Sequence, residues 1–273
     1  MNTLLKVENR KLMALEIGTG SKVISIDCGI HAREWVSPAY CQWFIDQAIN
    51  GRFAKYTSDV KFLVQPVLNP DGYEYTWSTE RMWRKNRSTG NGVCLGVDLN
   101  RNYDADWSGP GASAQPCSES YHGPSVFSEP ESQAQRDYVA PYINNGSLKA
   151  FLTVHSYGQY ILFPFAFETD DAPNKEELNS LGAEMRLAIL QTHNKLYTMG
   201  QTTDVMYAAA GGSDDWSYLA MYGAGNSAPL SYTFELRDTG NFGFTLPANQ
   251  ITPNAEEMDN GMDVAIQHVI ANK

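Results

Sequence analysis

Two closely spaced residues in this chain could bind a metal ion together. His31 and Glu34 are separated by two residues within Gly29–Trp35. An imidazole and a carboxylate at this spacing can bend onto one metal ion if a third ligand comes from elsewhere, and His155 is the natural candidate. Two histidines and one carboxylate form a common protein ligand set of catalytic zinc, with the fourth position left to water. The sequence therefore predicts a catalytic zinc site at these three residues.

The candidate ligands follow two predicted strands. The apolar run Val23–Cys28 leads into the segment of His31 and Glu34, and the run Ala150–Val154 directly precedes His155. Ser37 and Pro38 are typical of a helix N-cap followed by proline at the first helical position. Because open α/β sheets place their sites at the carboxyl ends of strands, we expect the metal site at the rim of a sheet.

A histidine and a glutamate at this spacing form a weak signal alone, and further motifs strengthen it. These motifs are Asn69–Tyr73, Arg81–Arg87, Gly96–Tyr103, His155–Tyr157 and Phe234–Asp238, in that order along the chain. Together they strongly resemble the zinc metallocarboxypeptidases of the pancreatic carboxypeptidase A/B type, from about Glu8 to the C-terminus. Carboxypeptidase A is itself a known case of the two-histidine, one-glutamate zinc set, so the ligand assignment and the resemblance are not independent.

The resemblance implies a division of chemical roles. Zinc-assisted peptide hydrolysis requires a base for the proton of the attacking water and a cation for the developing oxyanion. By resemblance, the members of the centre are His31, Glu34 and His155 as ligands of one Zn²⁺, Glu235 as general base and later proton donor, Arg84 as the oxyanion-binding cation, and Asp98 as the carboxylate that orients His31.

The resemblance also implies residues that bind the substrate. Asn100 and Arg101 are assigned to its terminal carboxylate, which an arginine can grip bidentately. Tyr207 corresponds to a mobile tyrosine that closes over bound substrate. Arg33 is expected at an outer subsite, and Tyr157 belongs to the same substrate-binding set. Recognition of a terminal carboxylate makes an exopeptidase, because an internal peptide segment has no such group.

The stretch Tyr207–Trp216 carries the signal for side-chain specificity. Its small residues leave room for a long side chain, and Asp214 stands where B-type enzymes have an aspartate and A-type enzymes an apolar residue. We therefore predict release of C-terminal Lys or Arg. An A-type or broad-specificity enzyme is the alternative, as is a truncated product that binds zinc or peptide ends without turnover. The segment Leu219–Pro229 is longer than the family's usual connection to the strand of Glu235, a departure that bears on pocket shape and inhibitor fit more than on the chemistry.

The remaining patterns predict a single α/β domain over residues 1–273, with a mixed, mostly parallel twisted sheet and helices on both faces. Asn69–Gly72 is predicted to form a turn, and residues 74–127 to be mostly loop. Predicted strands cover residues 12–17, 23–28, 60–67, 149–154, 161–164 and 230–236. Predicted helices cover residues 38–50, 128–143, 174–197 and the C-terminal region from 252. A capping box at residues 128–131 is expected to open the second of these helices.

Composition excludes several classes of partner. A net charge of −11 argues against binding to nucleic acids and anionic membranes. No apolar run approaches the roughly 18–20 residues of a membrane-spanning helix. The 42% apolar content supports a sizeable core, and no linker divides the chain. We expect a monomer whose partners are peptide or protein C-termini ending in Lys or Arg.

The four cysteines bear on the cellular compartment. Cys28, Cys41, Cys94 and Cys117 allow three disulfide pairings from the sequence alone. The resemblance selects Cys28–Cys41 and Cys94–Cys117. Disulfides imply an oxidising compartment, which together with the resemblance predicts an extracellular protein. The sequons that begin at Asn86 and Asn145 agree with that location.

The start of the chain differs from the family pattern. The resemblance implies a catalytic domain without the signal peptide, pro-segment, first helix and first strand that the family usually has. The chain therefore reads as a fragment, a mispredicted start or a shortened isoform. We expect an unpaired sheet edge near Leu12–Ile17 and, because exposed edges invite association, poor solubility or secretion.

Overall fold

The computed structural model describes residues 3–4, 8, 10–90 and 92–272. In these residues the strands are β1 (Thr3–Leu4), β2 (Leu12–Met13), β3 (Leu15–Ile17), β4 (Lys22–Cys28), β5 (Val60–Gln65), β6 (Leu148–Ser156), β7 (Tyr160–Phe163), β8 (Thr198–Gln201) and β9 (Leu230–Leu236). The helices are α1 (Val36–Ile49), α2 (Pro70–Ser78), α3 (Pro130–Asn144), α4 (Lys175–His193), α5 (Thr202–Val205), α6 (Ser213–Gly223) and α7 (Ile251–Ala271).

One large sheet organises the described chain, with the strand order β3-β5-β4-β6-β9-β7-β8. The central pairs β5–β4, β4–β6 and β6–β9 are parallel, as is β7–β8, whereas β3–β5 and β7–β9 are antiparallel. Apolar residues of α1, α4 and α7 pack on one face, and those of α3 and α6 on the other. The predicted α/β class, with a mixed and mostly parallel sheet covered on both faces, is confirmed.

Burial on both faces explains why the central strands are apolar runs. In β4 every residue after Lys22 is buried, and β6 is buried throughout except at Lys149. Strands of parallel sheets have this pattern because helices cover both of their faces. The two strands that precede the predicted metal ligands are therefore the interior of the sheet.

The predicted turn at Asn69–Gly72 is instead the first turn of α2. Asn69 is the N-cap, its side-chain oxygen accepts a hydrogen bond from the Gly72 amide at 3.0 Å, and Pro70 occupies the first helical position. The prediction was wrong because Asn, Pro, Asp and Gly serve both turns and helix starts. The loop predicted from residue 74 consequently begins only after Ser78.

Other element boundaries also differ from the prediction. The strand expected at residues 12–17 is divided into β2 and β3. The capping box expected at Ser128 is absent: α3 has Glu129 as N-cap, and the Ser128 hydroxyl donates to the Glu129 carboxylate at 2.7 Å. Strand β8, which is only four residues long, and helix α6 were not predicted. Strand β3 is a sheet edge that pairs only with β5 in the described chain, whereas β2 pairs with β1.

Both disulfides predicted from the resemblance are present. Cys28–Cys41 joins the end of β4 to α1, and Cys94–Cys117 closes a long loop. Their sequence separations of 13 and 23 residues correspond to about 3 kcal/mol each in the chain-entropy description. The first bridge lies directly beside the predicted metal ligands and restrains the strand–helix unit that carries them.

The long connection at Leu219–Pro229 leads from α6 to the start of β9. It forms the last turns of α6 and a loop that reaches the start of β9, where its residues line a surface cleft with Lys149 and His268. The parallel strands β6 and β9 begin at this edge of the sheet, and their carboxyl ends lie at the opposite edge. No residue of this segment lines the described cleft that contains Asp214.

The two sequons differ in exposure. Asn86 is fully buried, and its amide donates to the carboxylates of Glu129 at 2.7 Å and Glu131 at 3.1 Å. Asn145 is exposed at the C-terminal end of α3. Only the second sequon is accessible in the folded chain. Within the described residues, the structure contains no helix that is both long and apolar enough to cross a membrane.

Candidate active site

The ends of two adjacent parallel strands bring the predicted metal ligands together. His31 and Glu34 lie in the short connection between β4 and α1, and His155 is the penultimate residue of β6. Since β4 and β6 pair in parallel, their carboxyl ends meet at one rim of the sheet. Gly29 begins the connection with φ 67°, and a Cβ there would approach the Pro38 ring at 2.9 Å, so the tight turn requires glycine.

Ser37 ties this connection to β6. It was predicted to be the N-cap of α1, but the helix begins at Val36 with Trp35 as the N-cap. The buried Ser37 hydroxyl instead accepts a hydrogen bond from the Gly29 amide at 3.0 Å and donates to the Val154 carbonyl. The side chain therefore joins the two strand ends that carry the candidate metal ligands.

The three ligand candidates converge in a buried cluster. One nitrogen or oxygen atom from each of His31, Glu34 and His155 lies within 4.8 Å of the others. The Nδ1 atoms of the two histidines are 3.2 Å apart, and the Glu34 carboxylate oxygens lie 2.8 Å from His31 Nδ1 and 3.2 Å from His155 Nδ1. Two imidazole nitrogens facing each other beside a carboxylate are a donor set that suits Zn²⁺. The residues therefore fit the predicted ion.

The electrostatics of the cluster favour a bound cation. Burial disfavours the charged form of Glu34, but the two imidazoles outweigh this effect and hold its pKa well below the ordinary value. Burial also disfavours a charged His155, yet Glu34 outweighs it and raises the pKa of His155 to about 9. The Glu34 carboxylate thus favours a protonated His155 imidazole, and a metal ion would take the place of that proton.

Asp98 connects the candidate ligand His31 to Arg84. Its Oδ1 lies 3.1 Å from His31 Nε2, and its Oδ2 accepts hydrogen bonds from Arg84 Nε at 3.1 Å and Nη2 at 2.9 Å. Burial opposes its charge, but Arg84 and His31 outweigh it and hold the pKa of Asp98 well below the ordinary range. A carboxylate at Nε2 fixes the tautomer that turns Nδ1 towards the metal position.

Glu235 stands beside the ligand cluster. It occupies β9 directly opposite His155 in the parallel β6–β9 register, and its Oε2 is buried without a hydrogen-bond partner among the described residues. Burial and the charge of Glu34 raise the pKa of Glu235 to about 8. A cation at the metal position would favour its ionised form. The arrangement gives a carboxylate that can exchange a proton near neutral pH.

Asn100, Arg101 and Tyr207 line the same cleft as the two histidines and Glu235. Asn100 Oδ1 accepts from the Ser213 amide at 3.0 Å, and the Arg101 guanidinium donates to the carbonyls of Asn100 at 2.8 Å and Gly111 at 3.1 Å. The Tyr207 side chain is 59% exposed. The arginine is therefore held in place by backbone atoms, while the tyrosine extends into solvent.

Asp214 lies at the start of α6, is almost completely buried and lines this cleft. Thr233 donates its hydroxyl to Asp214 Oδ2 at 2.9 Å. The neighbouring lining consists of Leu162, Ala166, Thr202, Met206, Ala209 and Gly212. Thr233 was not predicted, although its position two residues before Glu235 on the same strand face is a signal that could have identified it.

Arg33 and Tyr157 lie at the outer end of the site, around Phe244. The Arg33 guanidinium lies 4.4 Å from the centroid of the Phe244 ring, whereas Tyr157 packs edge-on against it with centroids 4.8 Å apart. Arg33 also pairs with Glu119 at 3.1 Å. Neither Phe244 nor Glu119 belongs to a recognisable motif, and only the fold brings them here.

Fold and site together define a zinc peptidase scaffold, and comparison with known proteins assigns the family. The zinc carboxypeptidase family model matches residues 6–261, so the chain belongs to the zinc carboxypeptidases and the predicted resemblance is confirmed. Carboxypeptidase B of Bos taurus is 47% identical over 248 residues, covering 88% of this chain and 57% of its own length. That of Rattus norvegicus is 47% identical over 261 residues, covering 92% and 60%. This chain thus spans less than two thirds of these curated relatives.

Solved structures agree with this assignment. Bovine thrombin-activatable fibrinolysis inhibitor, in complex with tick carboxypeptidase inhibitor, superposes with a TM-score of 0.92 and 40% identity, covering 99% of this chain and 89% of that one. Carboxypeptidase A from Helicoverpa armigera gives a TM-score of 0.88 and 34% identity, covering 98% and 67%.

Proposed function

We propose that the chain carries a zinc-dependent carboxypeptidase activity that releases single C-terminal residues and prefers Lys and Arg. The observation that supports it best is the lining of one cleft, which combines metal ligands, Glu235, Arg101 and Asp214. Residues for hydrolysis, for a terminal carboxylate and for a cationic side chain thus face one space. Homology to carboxypeptidase B gives further support.

In this proposal the protein side chains manage the proton and the developing charge. When bound, zinc polarises the scissile carbonyl and lowers the pKa of its water towards about 7. Glu235 takes up the proton of the attacking water and then gives it to the leaving amine. Arg84 is held by Asp98 at 2.9 Å and supplies a permanent positive charge for the oxyanion.

Arg101 accounts for the exopeptidase specificity. Its Nε and Nη1 are bound to backbone carbonyls, and its Nη2 forms no hydrogen bond to the described residues. A substrate carboxylate is the complementary partner for such a fixed guanidinium. A peptide segment without a free C-terminus leaves this cation unpaired.

Asp214 accounts for the preference for basic side chains. When Lys or Arg enters the cleft, the buried Asp214 carboxylate gains a partner of opposite charge. When Phe or Leu enters, the Asp214 carboxylate stays buried without a partner of opposite charge. Leaving one member of a buried ion pair alone costs roughly 3–5 kcal/mol.

Substrate series on the zinc-loaded protein test the proposal. We expect kcat/KM for blocked dipeptides ending in Arg or Lys to exceed that for Phe or Leu by roughly hundreds- to thousands-fold, from about 1.4 kcal/mol per decade. Equal values for Arg and Phe would favour an A-type or broad-specificity enzyme. Stoichiometric zinc without any turnover would favour a non-catalytic zinc- or peptide-binding product.

We also propose an extracellular location and a monomeric state. The two disulfides support the location, because such bonds persist in oxidising compartments. Secretion from a eukaryotic host and sedimentation of the purified protein would test the two statements separately.

A further inference from the structure

The motif Asn69–Tyr73 contains a residue to which the proposed reaction assigns no role. Asn69 lies between β5 and α2 and is fully buried. Its Oδ1 accepts from the Gly72 amide at 3.0 Å and caps α2. Helix capping uses only this oxygen, so the amide nitrogen needs a separate explanation.

The amide nitrogen of Asn69 joins two other segments of the chain. Nδ2 donates to the carbonyl of Ile30 at 3.2 Å and to that of Lys85 at 3.0 Å. Ile30 directly precedes the ligand His31, and Lys85 directly follows Arg84. The same two segments are also joined by the Ala32 amide, which donates to the Arg84 carbonyl at 3.0 Å.

Gly72 has to be glycine for this arrangement to form. A Cβ at Gly72 would lie 2.6 Å from both Asn69 Nδ2 and the Lys85 carbonyl oxygen. Contacts this short do not occur, and one of the two atoms is backbone. The spacing of Asn69 and Gly72 in the motif therefore allows the helix start to approach the segment that carries Arg84.

The Arg84 segment depends on such contacts for its position. Residues 79–90 contain no helix or strand, so no regular element fixes the Arg84 backbone. Its guanidinium is held by Asp98, which also contacts His31. The backbone around Arg84 is thus joined to the metal-binding connection by Ala32 and Asn69. Its side chain is joined to the same connection by Asp98.

We propose that Asn69 is a positioning residue, which holds the oxyanion-binding Arg84 at a fixed place relative to the metal-binding connection. This inference rests on the proposed function for the role of Arg84. It goes beyond capping, because a cap requires only a side-chain acceptor, whereas positioning requires both N–H donors of the amide.

The exchange Asn69→Asp separates the two roles. Aspartate has the same shape and caps helices as well as asparagine does. Its carboxylate cannot donate to the two carbonyls, and it repels them. We expect kcat/KM to fall roughly 10- to 100-fold, as for a catalytic group displaced by about 1 Å, with zinc still bound stoichiometrically. Because a protonated aspartate regains one donor, the ratio of variant to parent activity should rise as the pH falls.

Hydrogen exchange tests the positioning without relying on turnover. In zinc-loaded Asn69→Asp, peptides covering residues 30–34 and 83–87 should exchange faster than in the parent, while the α2 peptide 70–78 stays protected. Gly72→Ala is a second variant. Alanine favours the helix intrinsically, but its Cβ would collide with Asn69 Nδ2 and the Lys85 carbonyl oxygen, so it should give the same pattern. Val139→Ala, a fully buried residue of α3, controls for a general loss of stability.

The outcomes separate this inference from the proposed function. Loss of turnover and faster exchange at 83–87 in both variants, but not in Val139→Ala, would support positioning. Unchanged exchange, or unchanged kcat/KM in an active parent, would overturn it. An inactive parent enzyme would contradict the proposed function alone, because hydrogen exchange would still test the position of the Arg84 segment.

Discussion

His155 and Glu235 lie directly opposite each other on the parallel strands β6 and β9. Paired residues of adjacent parallel strands project from the same face of the sheet, so the register alone places a candidate metal ligand and an acidic residue side by side. A slip of one residue would move one of them to the other face. The sheet therefore determines how the proposed base stands relative to the metal ligands.

Glu235→Gln should keep zinc and lose turnover. The amide preserves the shape of the side chain but cannot accept a proton, so we expect kcat to fall by about 10³-fold. Zinc content by atomic absorption and steady-state rates on an Arg-terminated substrate check this. Near-parental turnover in the zinc-loaded variant would show that another group is the base.

Removal of zinc should destabilise the protein as well as abolish activity. A ligand at 1,000 times its dissociation constant stabilises the folded state by about 4 kcal/mol, so chelation should lower Tm by roughly 10 °C. Calorimetry with and without a chelator measures this shift. We expect His155→Ala to lose the response and His193→Ala, which pairs with Glu256 outside the site, to retain it. A chelator-independent Tm in the parent would contradict zinc binding here.

Asp214→Ile should reverse the substrate preference without affecting zinc. The substitution removes the buried carboxylate and with it the partner of a Lys or Arg side chain. We expect kcat/KM for Arg-terminated peptides to fall by roughly hundreds-fold and that for Phe-terminated peptides to rise. The same assay on the parent is the reference, and a parallel fall for both substrates would assign Asp214 a structural role.

Glu131 should make the stability of the folded chain fall with rising pH. Burial raises the pKa of Glu131 from 4.5 to about 7. Between these values the folded state holds a proton that the unfolded state has released, so its stabilising contribution is complete below about pH 4.5 and is lost as the pH rises through 7. The change amounts to about 1–3 kcal/mol.

Glu131→Gln should therefore be more stable than the parent at pH 8 but not at pH 4.5. Urea unfolding of both proteins at several pH values measures the difference, and Glu184→Gln at an exposed position of α4 is the control. A difference between Glu131→Gln and the parent that does not change with pH would contradict the assignment.

In a secretory host, glycosylation should occur at Asn145 and not at Asn86. Asn145 is exposed, whereas the amide of Asn86 is bonded to two buried carboxylates. Mass spectrometry of glycopeptides checks both sites, with Ser147→Ala removing the accessible sequon as the control. A glycan at Asn86 would require that this region is modified before it folds.

The sequence by itself determined the central strands and the residues at their ends. Val23–Cys28 and Ala150–Val154 are mostly apolar, with Ser25, Asp27 and Thr153 as exceptions, because helices cover both faces of the sheet. Such segments can be recognised from the sequence alone. The predicted metal ligands follow these runs in the sequence. The resemblance supplied what local patterns could not, namely both disulfide pairings and the roles proposed for Glu235 and Arg84.

The tertiary structure decided the elements and contacts that depend on residues distant in the chain. Strand β8 is four residues long, contains a glycine and is stabilised by its pairing with β7, so propensity did not predict it. Several side-chain hydrogen bonds join segments that meet only after the strands have assembled. They are the bonds from Asn86 to Glu129, from Thr233 to Asp214 and from Asn69 to the Lys85 carbonyl. Local sequence encodes which backbone conformation a segment favours, whereas the partners of its polar side chains are set by strand order and register.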